Sequence, residues 1–330
     1  MHTPSSSVVT VDALGGLLDG VRARGAFVLR LSLDPPWSMR IQDDAPLTLI
    51  CVTQGSAVIV TDSGDSFFVR RGDVAVARGV EHYLFADEAQ TEPQVVIHPG
   101  NLCTTLRGED LRFEMSVGVR TWGNTASGTD RAVICAYEGR SEVSSRLLNA
   151  LPTVLVLRGD KWQTPLVNLL ADEAGRDGPG QEAYLDRLLD LLLMDVLRTW
   201  FDRDEQAPTW WRAEHDQFVG PALRLIYNNP EHPWTVANLA AAVGCSRAVF
   251  ARRFAEQVGE PPIAFLTGWR LALAADLLRA CSDTIASVAR RVGYSTPFAL
   301  SSAFKRAYGV SPHVYRADAS GAASLDASTG

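Results

Sequence analysis

The strongest constraint on this 330-residue chain lies near its C-terminus, where one plan is written twice. The first copy, TVANLAAAVGCSRAVFARRFAEQVG, starts at Thr235; the second, TIASVARRVGYSTPFALSSAFKRAYG, starts at Thr284. Val236, Leu239, Ala240 and Val243, and again Ile285, Val288, Ala289 and Val292, recur at helical spacing and predict a short helix with one buried face. Gly244 and Gly293 follow as turn residues. Each copy then predicts a second helix, anchored inward by Phe250 and Phe254 or by Leu300 and Phe304. Ser246 in the first copy, and Ser295 or Thr296 in the second, stand where an N-cap belongs.

Two helices joined by a glycine turn make a helix-turn-helix. Ile263–Ala280 predicts a long helix that fixes the separation of the two units. On one rigid spacer, two such units can enter successive major grooves about 34 Å apart. Charge supports a nucleic-acid partner despite the overall −7: residues 1–205 carry −10, 206–330 carry +3, and 246–316 holds ten Lys/Arg against four Asp/Glu. A basic module on an acidic body fits a DNA binder, although charge alone fits a solvated helix face equally well.

Phase assigns the reading residues. With Phe250 and Phe254 inward, Arg247, Ala248, Ala251, Arg252 and Ala255 face out. Arg252 is the long donor suited to a bidentate guanine contact, and Ala248 and Ala251 suit a thymine methyl. The competing role for Arg252 is an i,i+4 pair with Glu256. Ser246 and Arg247, at the helix start, suit phosphate. In the second copy Thr296, Ser301 and Lys305 suit phosphate, and Phe298 offers an apolar base contact. Specificity is expected mainly from the first copy.

Upstream the texture differs. Residues 1–10 read as disordered, and 11–24 as a helix capped by Asp12 with Leu14, Leu17, Leu18 and Val21 on one face. Short β-rich runs such as FVLRLSL, LTLICVT and SAVIVTD, punctuated by Gly, Pro and Asp turns, then predict a sandwich or barrel, with further strands around Arg112–Val117 and Arg131–Tyr137. After Pro152 a helix is expected over Thr164–Ala174. QEAYLDRLLDLLLMDVLRTWF predicts another, apolar nearly all round, with a face for the barrel and a face for a partner subunit, or else a wholly internal core helix. A linker at 204–212, a DNA-binding domain over 213–316 and a disordered tail at 317–330 complete the plan.

Residues 25–155 resemble the cupin-like sensor domain of bacterial regulators, through Pro36-Trp37, Val52-Thr53-Gln54-Gly55, Gly72-Asp73-Val74 and Arg78-Gly79-Val80-Glu81-His82. Residues 215–316 resemble the AraC/XylS family of transcription regulators, through Trp234-Thr235-Val236, Arg253-Phe254, Val258-Gly259-Glu260-Pro261-Pro262, Trp269-Arg270, Val292-Gly293-Tyr294 and Gly309-Val310-Ser311-Pro312. The resemblance implies an α+β chain of two domains: 11–203, a cupin-like β-barrel with flanking helices, then an all-α double helix-turn-helix. It implies a regulator, activator or repressor, that binds promoter DNA and works with RNA polymerase. Relatives commonly carry Arg where Ser302 stands, so this second recognition helix departs from the family.

The alternative is a cupin-type metal-dependent enzyme with a DNA-binding tail. Cupin enzymes hold metal through a His-x-His pair on one strand. The corresponding strand, Leu47–Val52, has no histidine; His82 and His98 do not make a site, so neither metal nor cofactor is expected. Three readings of the barrel remain open: a small-molecule effector held in it, a domain used only for dimerisation, or oxidation of Cys51, Cys103 or Cys135. Of these, Cys103 beside Asn101 and Thr104 reads as the exposed one and Cys51 as a core residue. Dimerisation is expected through 181–203. Five scattered cysteines without CxxC spacing, no signal-peptide pattern and no apolar run near the roughly 18 residues of a membrane span place the chain in the cytoplasm.

Overall fold

A computed structural model describes residues 27–79, 81–137, 148–162, 164–203, 207–280 and 283–317. The helix expected over 11–24, the stretch 1–10, Cys281 and residues 318–330 lie outside these. The described chain divides into two compact units, one within 27–203 and one within 207–317.

The first unit is built of two sheets. One runs β10 (Ser116–Gly118), β11 (Thr121–Trp122), β1 (Phe27–Leu33), β12 (Asp130–Tyr137), β3 (Leu47–Gln54), β6 (Val74–Arg78), β13 (Val154–Leu157). The other runs β5 (Ser66–Arg70), β4 (Ser56–Thr61), β7 (Tyr83–Ala86), β2 (Ser38–Ile41), β8 (Val95–His98), β9 (Leu102–Thr105). Pairing is antiparallel except for β1 with β11 and β2 with β8. The core lies between the sheets: Leu31, Ile50, Ile59, Phe85 and Trp122 all point there. Strand β3 shows why its sequence is a continuous apolar run. Ile50 and Val52 face that core, while Leu47, Leu49 and Cys51 on the other face are buried as well. Helix α1 (Leu166–Ala174) packs against β1 and β3. Helix α2 (Gln181–Arg203) is tied down where Tyr137 Oη donates to the Leu189 carbonyl at 3.1 Å. A strand covered on both sides needs no polar alternation.

Two expectations need correction here. The strand expected at Arg112–Val117 shrinks to Ser116–Gly118, because Asp110 folds the preceding segment into a turn by accepting Arg112 N at 2.9 Å. Helix α2 is apolar on nearly all sides but does not display a second broad apolar face. Leu192, Leu193, Val196 and Leu197 are all buried, and the outward stripe mixes Tyr184 and Leu191 with Arg187 and Arg198.

The second unit is helical: α3 (Thr209–Ala213), α4 (Val219–Asn228), α5 (Val236–Ala242), α6 (Arg247–Val258), α7 (Pro262–Ala280), α8 (Ile285–Arg291) and α9 (Pro297–Tyr308). The segment expected as linker is thus partly ordered. Ala207 is buried, and α3 packs on α6, with Thr209 Oγ1 donating to the Val258 carbonyl at 3.3 Å. Helix α7 is the spine. Its first half sends Phe265, Leu266 and Trp269 into the buried core, where Phe254 and Phe265 stack edge to face at 5.8 Å. Its second half sends Leu271, Ala274, Ala275 and Leu278 into a cluster with Val288, Val292, Leu300 and Phe304.

Candidate nucleic-acid interface and barrel cavity

Each helix pair is built by the same local chemistry. Thr235 and Thr284 cap α5 and α8 by accepting the N–H of Asn238 and Ser287, both at 3.1 Å. Gly244 and Gly293 end those helices in the left-handed conformation, at φ 74° and 81°. Cys245 N–H reaches back to the Ala240 carbonyl at 3.0 Å and Tyr294 N–H to that of Ala289 at 2.8 Å, closing each turn as a Schellman motif. Ser246 caps α6 and Thr296 caps α9, accepting from Val249 N and Ala299 N at 3.4 and 3.1 Å. Of the two residues expected for the second cap, Thr296 takes the role.

The outward faces carry the residues that phase assigned. On α6, Ser246, Arg247, Ala248 and Arg252 are exposed and Ala251 is half-buried. Arg252 is 73% exposed and sits 3.9 Å from Glu256, a loose surface pair worth a few tenths of a kcal/mol at most. On α9, Thr296 and Lys305 are exposed, Ser301 is half-buried, and Phe298 stands 80% exposed. Val249, also exposed on the first turn of α6, escapes a phase argument that counts apolar residues as inward.

Helix α6 is held by a clamp that local pattern does not reveal. Asp216 Oδ1 accepts the N–H groups of Phe218 and Val219 at the head of α4, at 2.8 and 2.9 Å. Its Oδ2 accepts Arg253 Nε at 2.6 Å and Gln257 Nε2 at 2.8 Å, both from α6. The carboxylate is only 4% exposed. Burial alone would raise its pKa, but the two backbone N–H groups, Gln257 and Arg253 outweigh that and hold it at about 2. A second clamp joins the repeats: Arg270 of α7 donates from Nε to the Pro230 carbonyl at 2.6 Å and from Nη2 to that of His232 at 2.7 Å. The same guanidinium lies against Gly293.

In the β unit, a cavity of about 60 Å³ lies between the sheets. Leu29, Leu31, Ile50, Phe85 and Ile134 give it an apolar lining. Cys103 also lines it but is 8% exposed, which corrects the expectation of an accessible thiol; inward packing from β9 buries it. Burial pushes its pKa up to about 11, that of Cys51 up to about 12, and that of Cys135 well above the usual thiol range. None of the three is poised as a thiolate. Brief N-ethylmaleimide treatment of the native protein should therefore label half-buried Cys245 more than about tenfold faster than Cys51, Cys103 or Cys135, as read by peptide mapping. His82 Nε2 lies 3.5 Å from Asp44, and His98 Nε2 is bonded to Thr104 Oγ1 at 2.9 Å. Among the described residues, no three His, Cys, Asp or Glu side chains converge on a metal position.

A barrel with an apolar cavity and a helical unit with two capped, outward-facing recognition helices define a DNA-binding regulator with its own sensor-like domain. Comparison with known proteins agrees in both halves. The cupin family profile matches residues 12–202, and a helix-turn-helix domain profile matches 239–318. The HTH-type transcriptional regulator MtrA of Neisseria gonorrhoeae is 30% identical over 317 residues, 93% of this chain and 98% of that protein. The HTH-type transcriptional regulator AlkR of Acinetobacter baylyi is 28% identical over 312 residues, covering 93% and 99%. A putative AraC-like transcription regulator of Streptomyces antibioticus is 42% identical over 132 residues, covering 40% and 44%. The chain belongs to the AraC-type family of helix-turn-helix transcription regulators that carry an N-terminal cupin domain. Among its described residues, no helix is long and apolar enough to cross a membrane.

Proposed function

We propose that this regulator grips promoter DNA in the cytoplasm with α6 and α9, and that Arg252 reads the bases. The observation that carries this is the pair of outward faces, each opening on a hydroxyl-capped helix start. Ser246 and Arg247 on one, and Thr296, Ser301 and Lys305 on the other, supply the phosphate contacts. Ala248 and Ala251 pack on a thymine methyl beside Arg252, and Phe298 makes the apolar contact of the second half-site. The DNA-binding domain begins at Ala207, ahead of position 213, because α3 is part of its packing. Residues 11–203 form the sensor. Two copies join along 181–203 through the mixed outward stripe of Tyr184, Arg187, Leu191 and Arg198, and RNA polymerase is the partner at the promoter.

The barrel in this reading senses a small organic molecule and catalyses nothing. Its apolar cavity supports that, and the buried thiols favour it over oxidation of Cys51, Cys103 or Cys135. Footprinting on the region upstream of its own gene tests the regulator. Arg252→Ala should relax base preference at one position by about 1–3 kcal/mol. Lys305→Ala should weaken binding to all sequences alike. The reverse pattern would exchange the two roles.

A further inference from the structure

The polar end of the barrel cavity has one sign of charge. Asp43 lines the cavity and, among the described residues, is the charged member of the lining; no lysine or arginine joins it. Its Oδ1 accepts Ala45 N at 3.1 Å. Thr48 and Tyr83 stand beside it and also face a second hollow, of about 70 Å³, whose wall includes Asp44, Glu81 and His82. Asp43 borders both spaces, and the second hollow is lined by three carboxylates and one imidazole. Burial raises the pKa of Asp43; its two hydrogen bonds to backbone and nearby His82 pull it down, and neighbouring Asp44 pushes it further up. Among the described residues, no lysine or arginine of the lining gives that carboxylate a counter-charge. Trp122, on β11, lines the same cavity, its indole N–H buried and, among the described residues, without a hydrogen-bond acceptor.

An apolar chamber that ends in a partly desolvated carboxylate disfavours anions, and a neutral guest brings that carboxylate no counter-charge. A cation with an apolar body satisfies both ends, because pairing offsets the cost of keeping Asp43 ionised. We propose that the cavity takes a lipophilic cation, its positive group seated at Asp43 and its apolar body between the sheets. This deepens, and rests on, the reading of the barrel as a small-molecule sensor.

The test uses the full chain and three probes of equal chain length: octylammonium, 1-octanol and octanoate, titrated calorimetrically below their micellar range. Octylammonium should bind at least about tenfold more tightly than 1-octanol, with octanoate weakest. Asp43→Asn should bring octylammonium down to the level of 1-octanol and leave 1-octanol unchanged. Ile134→Trp, which fills the chamber, should abolish binding of both; Leu29→Phe serves if that variant does not give a cooperative melting transition. Equal binding of octylammonium and 1-octanol, lost in the filled variant, would overturn the cation assignment and leave the sensing barrel standing. Preference for octanoate would overturn it too. Binding that survives chamber filling, or no binding of any probe to folded protein, would overturn the cation assignment and remove the support for an apolar-guest barrel as well.

Discussion

Replacing Asp216 by alanine is expected to destabilise the DNA-binding unit by about 3 kcal/mol and to cost most of its DNA affinity, although Asp216 is not among the DNA-facing residues. The substitution removes four hydrogen bonds at once. It leaves the guanidinium of Arg253 without its carboxylate and two N–H groups at the head of α4 without an acceptor. Arg253 keeps only its position over the Phe218 ring, 5.4 Å from the centroid. Recognition helix α6 then loses the tether that fixes its rotation against α4. Thermal melting of the full chain, with Asp216→Asn as the milder partner, measures the loss, and binding to a footprinted fragment measures its consequence. The same carboxylate predicts an acid limit. Its folded pKa, about 2, lies below the ordinary value of 3.8. Its contribution, about 2 kcal/mol, is therefore complete above roughly pH 4 and is lost as pH falls toward 2. Asp216→Asn should flatten that segment of the stability–pH curve; an unchanged curve would mean that other carboxylates govern it.

The second large effect separates two glycines that look equivalent. Both Gly244 and Gly293 hold left-handed turns, so alanine at either pays the backbone cost of about 1–2 kcal/mol. At Gly244 an added Cβ meets nothing within 4 Å. At Gly293 it would lie 2.6 Å from Arg270 Nη2 and 2.8 Å from the Cα of Glu231. The guanidinium can swing away only by releasing the Pro230 and His232 carbonyls, and the backbone at Glu231 has no such freedom. Gly293→Ala should therefore cost at least about 3 kcal/mol in all, against about 1–2 kcal/mol for Gly244→Ala. Denaturant midpoints of the two variants decide the matter, and equal midpoints would show that the Arg270 clamp is not rigid.

These contrasts mark what the amino-acid order reveals and what it hides. The helix pairs were legible because their determinants are local: Gly244 and Gly293 at the turns, Phe250, Phe254, Leu300 and Phe304 at helical spacing, a hydroxyl at each helix start. The strands were legible for the same reason, through alternation and turn residues. Asp216 was not, because its partners on α6 lie 37 and 41 residues away and no local rule links them. Trp210 and Trp211 sit in a short polar stretch that reads as linker, yet tertiary packing of α3 on α6 makes it part of a domain. Cys103 looked exposed among polar neighbours because β9 is too short, at four residues, for its alternation to stand out. The cavity between the sheets was hidden for a different reason. Inward-facing residues can be listed from a period of two, but whether they meet or leave a space depends on how the two sheets are held apart.

On the proposed mode of binding, Phe298, exposed at the start of α9, would give the two helices different thermodynamic characters. Phosphate contacts by Arg247 on α6 and Lys305 on α9 would displace condensed counterions, so their share of the affinity would decline as ionic strength rises. A phenyl ring making an apolar base contact would displace only water, and its share would persist in high salt while adding a negative heat-capacity change. Because α9 adds that ring to its proposed cationic contact at Lys305, the second half-site would lose a smaller share of its affinity than the first as ionic strength rises.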